Sequence, residues 1–419
     1  MTGVIEQHYD IYLNTVSTDV IKAAQIVLNE EYGQLTNISF RYTNEYREHP
    51  HAFALDPKQL PLISDQAYFP CKKGVLSILD DYLPDAWGSK VINKNASYIG
   101  QHSLDGRSVI DILNCLSYSR IGALAITKPG ANPKYDLGCE VHKINEIEMA
   151  ALHIDNNSGI QSPAFDEDGL LSLVNYGTGI GGARPKALVH NEGVTYVAKF
   201  NKCYRDDFNH ARVELAVLKM AAEAGLNVRD GHVYHGSNQH DVLLLDRFDV
   251  NNKCNFIYRS HLITINALLK CPDTQQDRGG IFRYDDIADI LRQYSINTEF
   301  DLQQLLYRML FNRAINNIDD HERNFSLIND GAGYCLSPAY DLVPSLSIGS
   351  YPVAGYGYRT HPPRPSEAYD IGKIFGLSKP TVRTICDQVM SGIERWEYWA
   401  ERCCVSERDT EALKKVIKI

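Results

Sequence analysis

The sequence has no disulfide or zinc pattern. Its ten cysteines are scattered apart from Cys403-Cys404, and neither a C-x-x-C pair nor a zinc-like quartet occurs. Reduced thiols in a cytoplasm fit this spacing better than a disulfide framework does. Apolar runs are short, well below the roughly 20 residues that span a bilayer. The opening Met-Thr-Gly-Val-Ile-Glu-Gln carries no basic stretch before an apolar one. The expectation is a soluble, cytoplasmic protein. Positive charge is also in deficit, with 42 Lys and Arg against 52 Asp and Glu and a formal net charge of -10. A free-standing nucleic-acid binder uses clustered cations to displace counterions from phosphates, so that class is disfavoured and DNA contact would need a basic partner. No internal repeat or low-complexity tract is visible. What is present is an ordinary globular composition, 44% hydrophobic over 419 residues, enough for two or three domains.

One stretch organises the rest: Asn-Asn-Ile-Asp-Asp-His-Glu-Arg-Asn-Phe-Ser-Leu, from Asn316 to Leu327. Asp319 and Asn324 are spaced as the base Asp and the metal-binding Asn are in protein-kinase catalytic loops, and Asp341 follows after one hairpin. Phosphoryl transfer needs a carboxylate beside the attacking hydroxyl, the place of Asp319. It also needs oxygen ligands for Mg2+, the place of Asn324 and Asp341. Leu302, Leu305, Leu306, Met309, Leu310 and Ile315 fall near a 3.6 period and predict a helix ending just before the loop. Phe325 to Ile328 and Tyr334 to Leu336 read as strands around the turn Asn329 to Gly333.

Upstream, Glu6 to Leu55 alternates apolar and polar residues as a small meander of strands, with Val20 to Leu28 a strand pair or short helix. Leu76 to Val91 and Val109 to Leu116 read as helices, and Gly122 to Ile126 as a buried strand. Trp87 is expected to anchor a core, because aromatic area chiefly contributes burial. Lys128 to Leu137 reads as a linker, Ile144 to Ile154 as a helix and Gly159 to Gly169 as a loop. Gly177-Thr178-Gly179-Ile180-Gly181-Gly182-Ala183-Arg184-Pro185-Lys186 follows. Its glycines let backbone N–H groups approach phosphates, although no Gly-Lys-Ser/Thr closes a Walker A motif and a turn between strands is the plainer reading. A hairpin turning at Asn191-Glu192-Gly193 brings in Lys199, and a helix from Asp207 to Ala224 carries Glu214. These are the places of the phosphate-gripping lysine and its glutamate partner in protein kinases. Val242 to Leu245 runs into Asp246-Arg247-Phe248-Asp249, the position of a nucleotide-binding hinge or of a strand end with an Asp246-Arg247 pair. Beyond Leu262 the pattern is mainly helical.

With these segments in view, Gly181 to Ala187, Leu243 to Asp249, Asn316 to Ser326 and Ala339 to Ser345 resemble the HipA family of bacterial serine/threonine kinases, the toxins of type II toxin-antitoxin modules. The stretches Ala-Leu-Asp-Pro, Leu-Pro-Asp-Ala-Trp-Gly and Ile-Gly-Ala-Leu are similar to that family's N-terminal region. The resemblance implies an α+β, two-lobed kinase-like fold with an extra β-rich subdomain: 1–127 the N-terminal subdomain, 128–249 the N-lobe, 250–419 a helical C-lobe. It implies ATP and Mg2+, with Asp319 as base and Lys199 beside it in catalysis, and Asn324 and Asp341 on the metal. Nucleotide contacts would come from Gly181, Gly182, Ala183, Arg184, Pro185, Lys186 and Lys199, from Asp246, Arg247 and Phe248, and from His321, Glu322, Arg323, Asn324, Tyr340 and Asp341. Family members phosphorylate protein serines, aminoacyl-tRNA synthetases among them, and arrest growth. A small helix-turn-helix antitoxin, HipB-like, restrains them and carries them onto operator DNA. The family's regulatory serine is replaced here by Gly179 beside Thr178, so either Thr178 substitutes as the autophosphorylation site or that inhibitory mechanism is absent. Two alternatives stay open: a kinase-like binding module that corepresses its operon with a DNA-binding antitoxin, and a small-molecule kinase, because the motifs read phosphates and not acceptors.

Overall fold

The computed structural model describes the chain except residues 1–2, 16–19, 72–73, 101–103, 156–166, 203–205, 237–239, 254–255, 271–281, 351 and 419, with side chains 252–256 also left aside. The loop expected from Gly159 to Gly169 lies mostly outside the described residues, and the helix Glu167–Tyr176 takes up its end.

Strand alternation in the first segment builds an antiparallel sheet. Its spatial order is Ala67–Pro70, Gln34–Tyr42, Ile21–Glu31, Val4–Leu13 and Leu124–Thr127. The segment Val20 to Leu28 is therefore part of one long strand. Two helices cover the region predicted as a single one, Ser77–Tyr82 and Ala86–Tyr98, because Pro84 cannot continue the first and Asp85 caps the second by accepting from Gly88 N–H. A second five-stranded sheet runs Cys139–Glu140, Lys186–Asn191, Val194–Phe200, Asp241–Asp246, Gly231–His235. The helix His210–Glu223, capped by Asn209, lies between its third and last strands in the chain.

The C-terminal part is helical, yet it contains a small sheet, His261–Thr264, Ser326–Asn329 and Tyr334–Leu336. That sheet holds the hairpin predicted between the two candidate metal ligands. At the centre lies the 17-residue helix Thr298–Ala314, buried along most of its length.

Two main cores result. One gathers Trp87, Val91, Ile147 and Leu173 against the strand residues Val189, Val242 and Leu244 of the second sheet. The other unites the N-terminal sheet with the C-terminal helices, from Ile11 and Phe40 through Val217 and Ile263 to Leu310 and Ile385. The N-terminal sheet is thus packed as part of the helical body, while Trp87 anchors the other lobe. Among the described residues no disulfide joins two cysteines, and no helix is long and apolar enough to cross a membrane.

Candidate active site

The helix Thr298–Ala314 ends as Asn316 turns into the left-handed region at φ 58°. Asn is one of the few side chains that tolerate this conformation. Asn317 then organises the loop: its Nδ2 donates to Asn312 Oδ1 at 3.1 Å and to the Asp341 carbonyl at 3.3 Å, while its Oδ1 accepts from Asp319 N–H at 3.1 Å. Asn324 is buried in the short turn Glu322–Asn324, and its Nδ2 donates to the Asp319 carbonyl at 2.6 Å. Side-chain amides therefore tie Asp319, Asn324 and Asp341 into one unit.

Asp341 also sits at a positive φ of 54°. Such a conformation costs a non-glycine residue roughly 1–3 kcal/mol and persists where surrounding contacts fix it. Besides the Asn317 bond to its carbonyl, those contacts come from the other lobe. Lys199 Nζ donates to Glu214 Oε1 at 2.5 Å and to Asp341 Oδ1. Lys186 lies directly opposite Lys199 in the strand register, so two cations share one face of the sheet. Like charges so placed repel, and the carboxylates of Asp341 and Glu214 offset the repulsion. Burial pushes the Lys186 ammonium below its ordinary range. Burial would do the same to Lys199, but Asp341 and Glu214 outweigh it and hold that ammonium above its usual range. Asp341 shows the mirror image: burial would raise its carboxyl, and Lys199 with Lys186 hold it well below the usual carboxylate range. Burial raises Glu214 despite its lysine partner.

The Asp319 side chain is 82% exposed, its Oδ1 3.8 Å from His321 Nε2. The walls around it and the charge of Asp341 raise its carboxyl above the ordinary aspartate range, against the opposing pull of His321. An ionised carboxylate and a more basic, exposed one thus stand near enough for the first to raise the proton affinity of the second.

The glycine-rich run connects the helix Glu167–Tyr176 to the strand Lys186–Asn191 and so does not turn between two strands. Gly182 has φ 105°, a backbone conformation that calls for glycine whatever the space, and a Cβ there would also lie 2.3 Å from Lys186 Nζ, the movable end of that side chain. Gly181 and Ala183 are exposed, while Pro185 is buried and its carbonyl accepts from Phe200 N–H at 3.1 Å. Thr178 is 1% exposed and its hydroxyl donates to the Val174 carbonyl. Phosphorylation there would require this segment to leave its seat.

Several expected ligand contacts are committed elsewhere. Arg184 forms a two-pronged pair with Asp206 at 2.6 and 3.1 Å and also contacts His210. Arg247 pairs with Asp249, at 2.7 and 3.0 Å, and not with Asp246; its buried guanidinium also donates to the Arg120 carbonyl. At the hinge the Asp246 and Arg247 N–H groups donate to the carbonyls of Asp230 and Thr195. Phe248 stacks with Tyr340 at 5.9 Å between ring centres. Arg323 turns away to Asp80 at 2.8 Å, and Glu322 is buried. Tyr340 contributes its ring, since its hydroxyl is bonded to Ser326 and to the Arg323 carbonyl.

Two residues escaped the sequence reading. Asn317 is one. The other is Arg308, 2% exposed, whose Nη2 donates to the carbonyls of both Asn324 and Tyr340 and whose guanidinium lies 4.1 Å from the Phe325 ring centre and 5.3 Å from that of Tyr340. A cation inside the apolar row Leu305, Leu306, Met309 was the available signal, because an arginine is seldom fully buried without a task.

A sheet lobe beside a helical lobe, with a lysine from the first bonded to a glutamate on the next helix and to an aspartate of the second, defines a protein-kinase-like fold. Residues 178–397 match the family described as HipA-like C-terminal domain, more than half of the chain, and the chain belongs to that family. It is 30% identical over 141 residues to Y4mE of Sinorhizobium fredii, which carries a kinase name, covering 33% of each protein. It is 26% identical over 162 residues to the serine/threonine-protein kinase toxin HipA of Shewanella oneidensis, covering 36% of each. The matched stretches thus span about a third of these relatives. A chain from the solved complex of Shewanella oneidensis MR-1 HipA, HipB and operator DNA has the same fold, with a TM-score of 0.62 and 16% identity over 96% of this chain and 94% of that one.

Proposed function

We propose that this protein is an ATP- and Mg2+-dependent serine/threonine protein kinase, acting as the toxin of a toxin-antitoxin pair. The observation that carries the reading is the bridge from Lys199 to both Glu214 and Asp341, opposite the open carboxylate of Asp319. Asp319 would accept the proton of the attacking hydroxyl, a task suited to a carboxyl whose proton affinity is raised. Lys199, oriented by Glu214, would hold the α- and β-phosphates, and the N–H groups around Gly181 and Gly182 would face the phosphate chain.

The donor set fits magnesium. Asn324 and Asp341 offer hard oxygens. That suits an ion whose remaining ligands are phosphate oxygens and water. When bound, Mg2+ supplies charge neutralisation of the triphosphate. The lowered proton affinity of Asp341 keeps it anionic for that role, and the bond it now accepts from Lys199 would be shared with the ion.

The name of the Shewanella toxin supports serine or threonine as acceptor; the substrate would be a host protein such as an aminoacyl-tRNA synthetase. The solved HipA-HipB-DNA complex supports a small helix-turn-helix, HipB-like antitoxin as partner and DNA contact through it. Incubation with γ-labelled ATP tests the reading: transfer to serine or threonine should require Mg2+ and vanish in Asp341→Asn. Transfer that survives chelation of divalent ions would sink the metal assignment.

A further inference from the structure

A pocket of about 270 Å³ opens beside the loop that carries Asp319. Arg313, Arg364, Lys415 and Lys418 line it together with Asn316 and Ser347, and among the described residues no carboxylate does. The chain as a whole carries a formal charge of -10, so a carboxylate-free wall with four cations runs against its composition. Arg313 lies in the last turn of the helix Thr298–Ala314 and Lys415 caps the end of the helix Glu407–Lys414, where cations offset the dipole. Arg364 and Lys418 have no such reason. Lys418 is brought in by its backbone N–H, which donates to the Ala314 carbonyl at 2.8 Å.

The location connects the pocket to the chemistry. Asn316 stands three residues before Asp319, and its Nδ2 donates to the carbonyls of Ser345 at 2.6 Å and Ser347 at 3.2 Å. The pocket wall is therefore built from the loop that carries Asp319 and from the segment that follows Asp341. Ile348, 89% exposed, projects at its rim.

We propose that this pocket docks an acidic segment of the acceptor polypeptide, holding Asp or Glu side chains a few residues away from the hydroxyl presented to Asp319. The inference rests on the kinase reading for the word acceptor. The volume suits one or two side chains and not a duplex, and the acidic remainder of the chain repels a nucleic-acid backbone. Cations that are only partly buried select partners and speed encounter more than they add affinity, so their effect should be steeply salt-dependent.

The test measures binding without ATP. A fluorescein-labelled peptide of Glu-Glu-Ser repeats is compared with its Gln-Gln-Ser counterpart by anisotropy, on the wild type and on Arg364→Gln/Lys415→Gln/Lys418→Gln. The acidic peptide should bind, should lose about tenfold in affinity in the triple variant, and should be released between about 0.05 and about 0.5 M salt. The three single substitutions should each give part of that loss, which keeps the result readable should the triple variant fold poorly. Equal binding to wild type and variants, equal binding of the glutamine peptide, or displacement of the peptide by a lower concentration of short duplex DNA would each overturn the proposal. Asp319→Asn should bind the acidic peptide as the wild type does, so failure of phosphoryl transfer leaves the docking result standing or falling by itself.

Discussion

Arg308→Met is the most informative structural perturbation. The side chain spans from the central helix to the carbonyls of Asn324 and Tyr340 and lies against the rings of Phe325 and Tyr340. Two hydrogen bonds from a charged donor are each worth about 1.5–3 kcal/mol, and their loss leaves two carbonyls without that donor. Cation–π contact adds roughly 1 kcal/mol. Against this, Arg308 Nε and Nη1 are buried without acceptors, and burial lowers its proton affinity despite the opposing pull of Tyr340 and Asp341. Methionine removes that desolvation cost, which in other buried ion sites offsets several kcal/mol. The expected net loss is about 2–4 kcal/mol, read from urea unfolding. Because both freed carbonyls belong to segments that carry candidate metal ligands, the stabilisation conferred by Mg-ATP should fall as well. Arg308→Lys should recover little, since an ammonium has no planar fork to bridge two carbonyls. A variant within about 1 kcal/mol of wild type, with its Mg-ATP stabilisation intact, would refute the reasoning.

Two further outcomes follow from the same geometry. Burial pushes the Asp320 carboxyl up to about 7 although Tyr284 and Ala354 donate to it. A raised folded-state value means the unfolded chain binds fewer protons above the ordinary aspartate range, so unfolding free energy should fall as pH rises from about 4 to about 7. Asp81, which burial also pushes up to about 7, adds to the same slope, so Asp320→Asn should reduce it without abolishing it, measured by urea titrations across the window; an unchanged slope would remove Asp320 as a source. Gly182→Ala places a methyl against Lys186 Nζ at a φ of 105°. It should cost about 1–3 kcal/mol and weaken nucleotide binding by calorimetry, and a neutral result would mean the loop is not held as described.

Much of this was legible in the sequence where one physical constraint dominated. The 3.6-residue apolar spacing before Asn316 forced the central helix, and the Asn329 to Gly333 turn forced the hairpin, so Asp319, Asn324 and Asp341 lie close enough to be joined through the side-chain amides of Asn317 and Asn324. Other features depend on tertiary partners that local sequence does not name. Arg184 is drawn to Asp206, 22 residues on, and Arg247 prefers Asp249 to its neighbour Asp246 because Asp249 also accepts from Gly122 N–H. The helix Glu167–Tyr176 went unread because its polar start and glycine-rich end masked a buried face of Leu170, Leu173 and Val174. The sharing of a core between the N-terminal sheet and the C-terminal helices left no local mark at all.

The central claim is that Asp319 performs chemistry while Lys199 and Asp341 hold the nucleotide. It is tested most directly by measuring γ-phosphate transfer and Mg-ATP affinity together for Asp319→Asn. The expected result is transfer reduced at least about a hundredfold, with affinity within about threefold of wild type, as befits loss of a general base. Transfer retained at the wild-type rate would contradict the account, whatever the affinity.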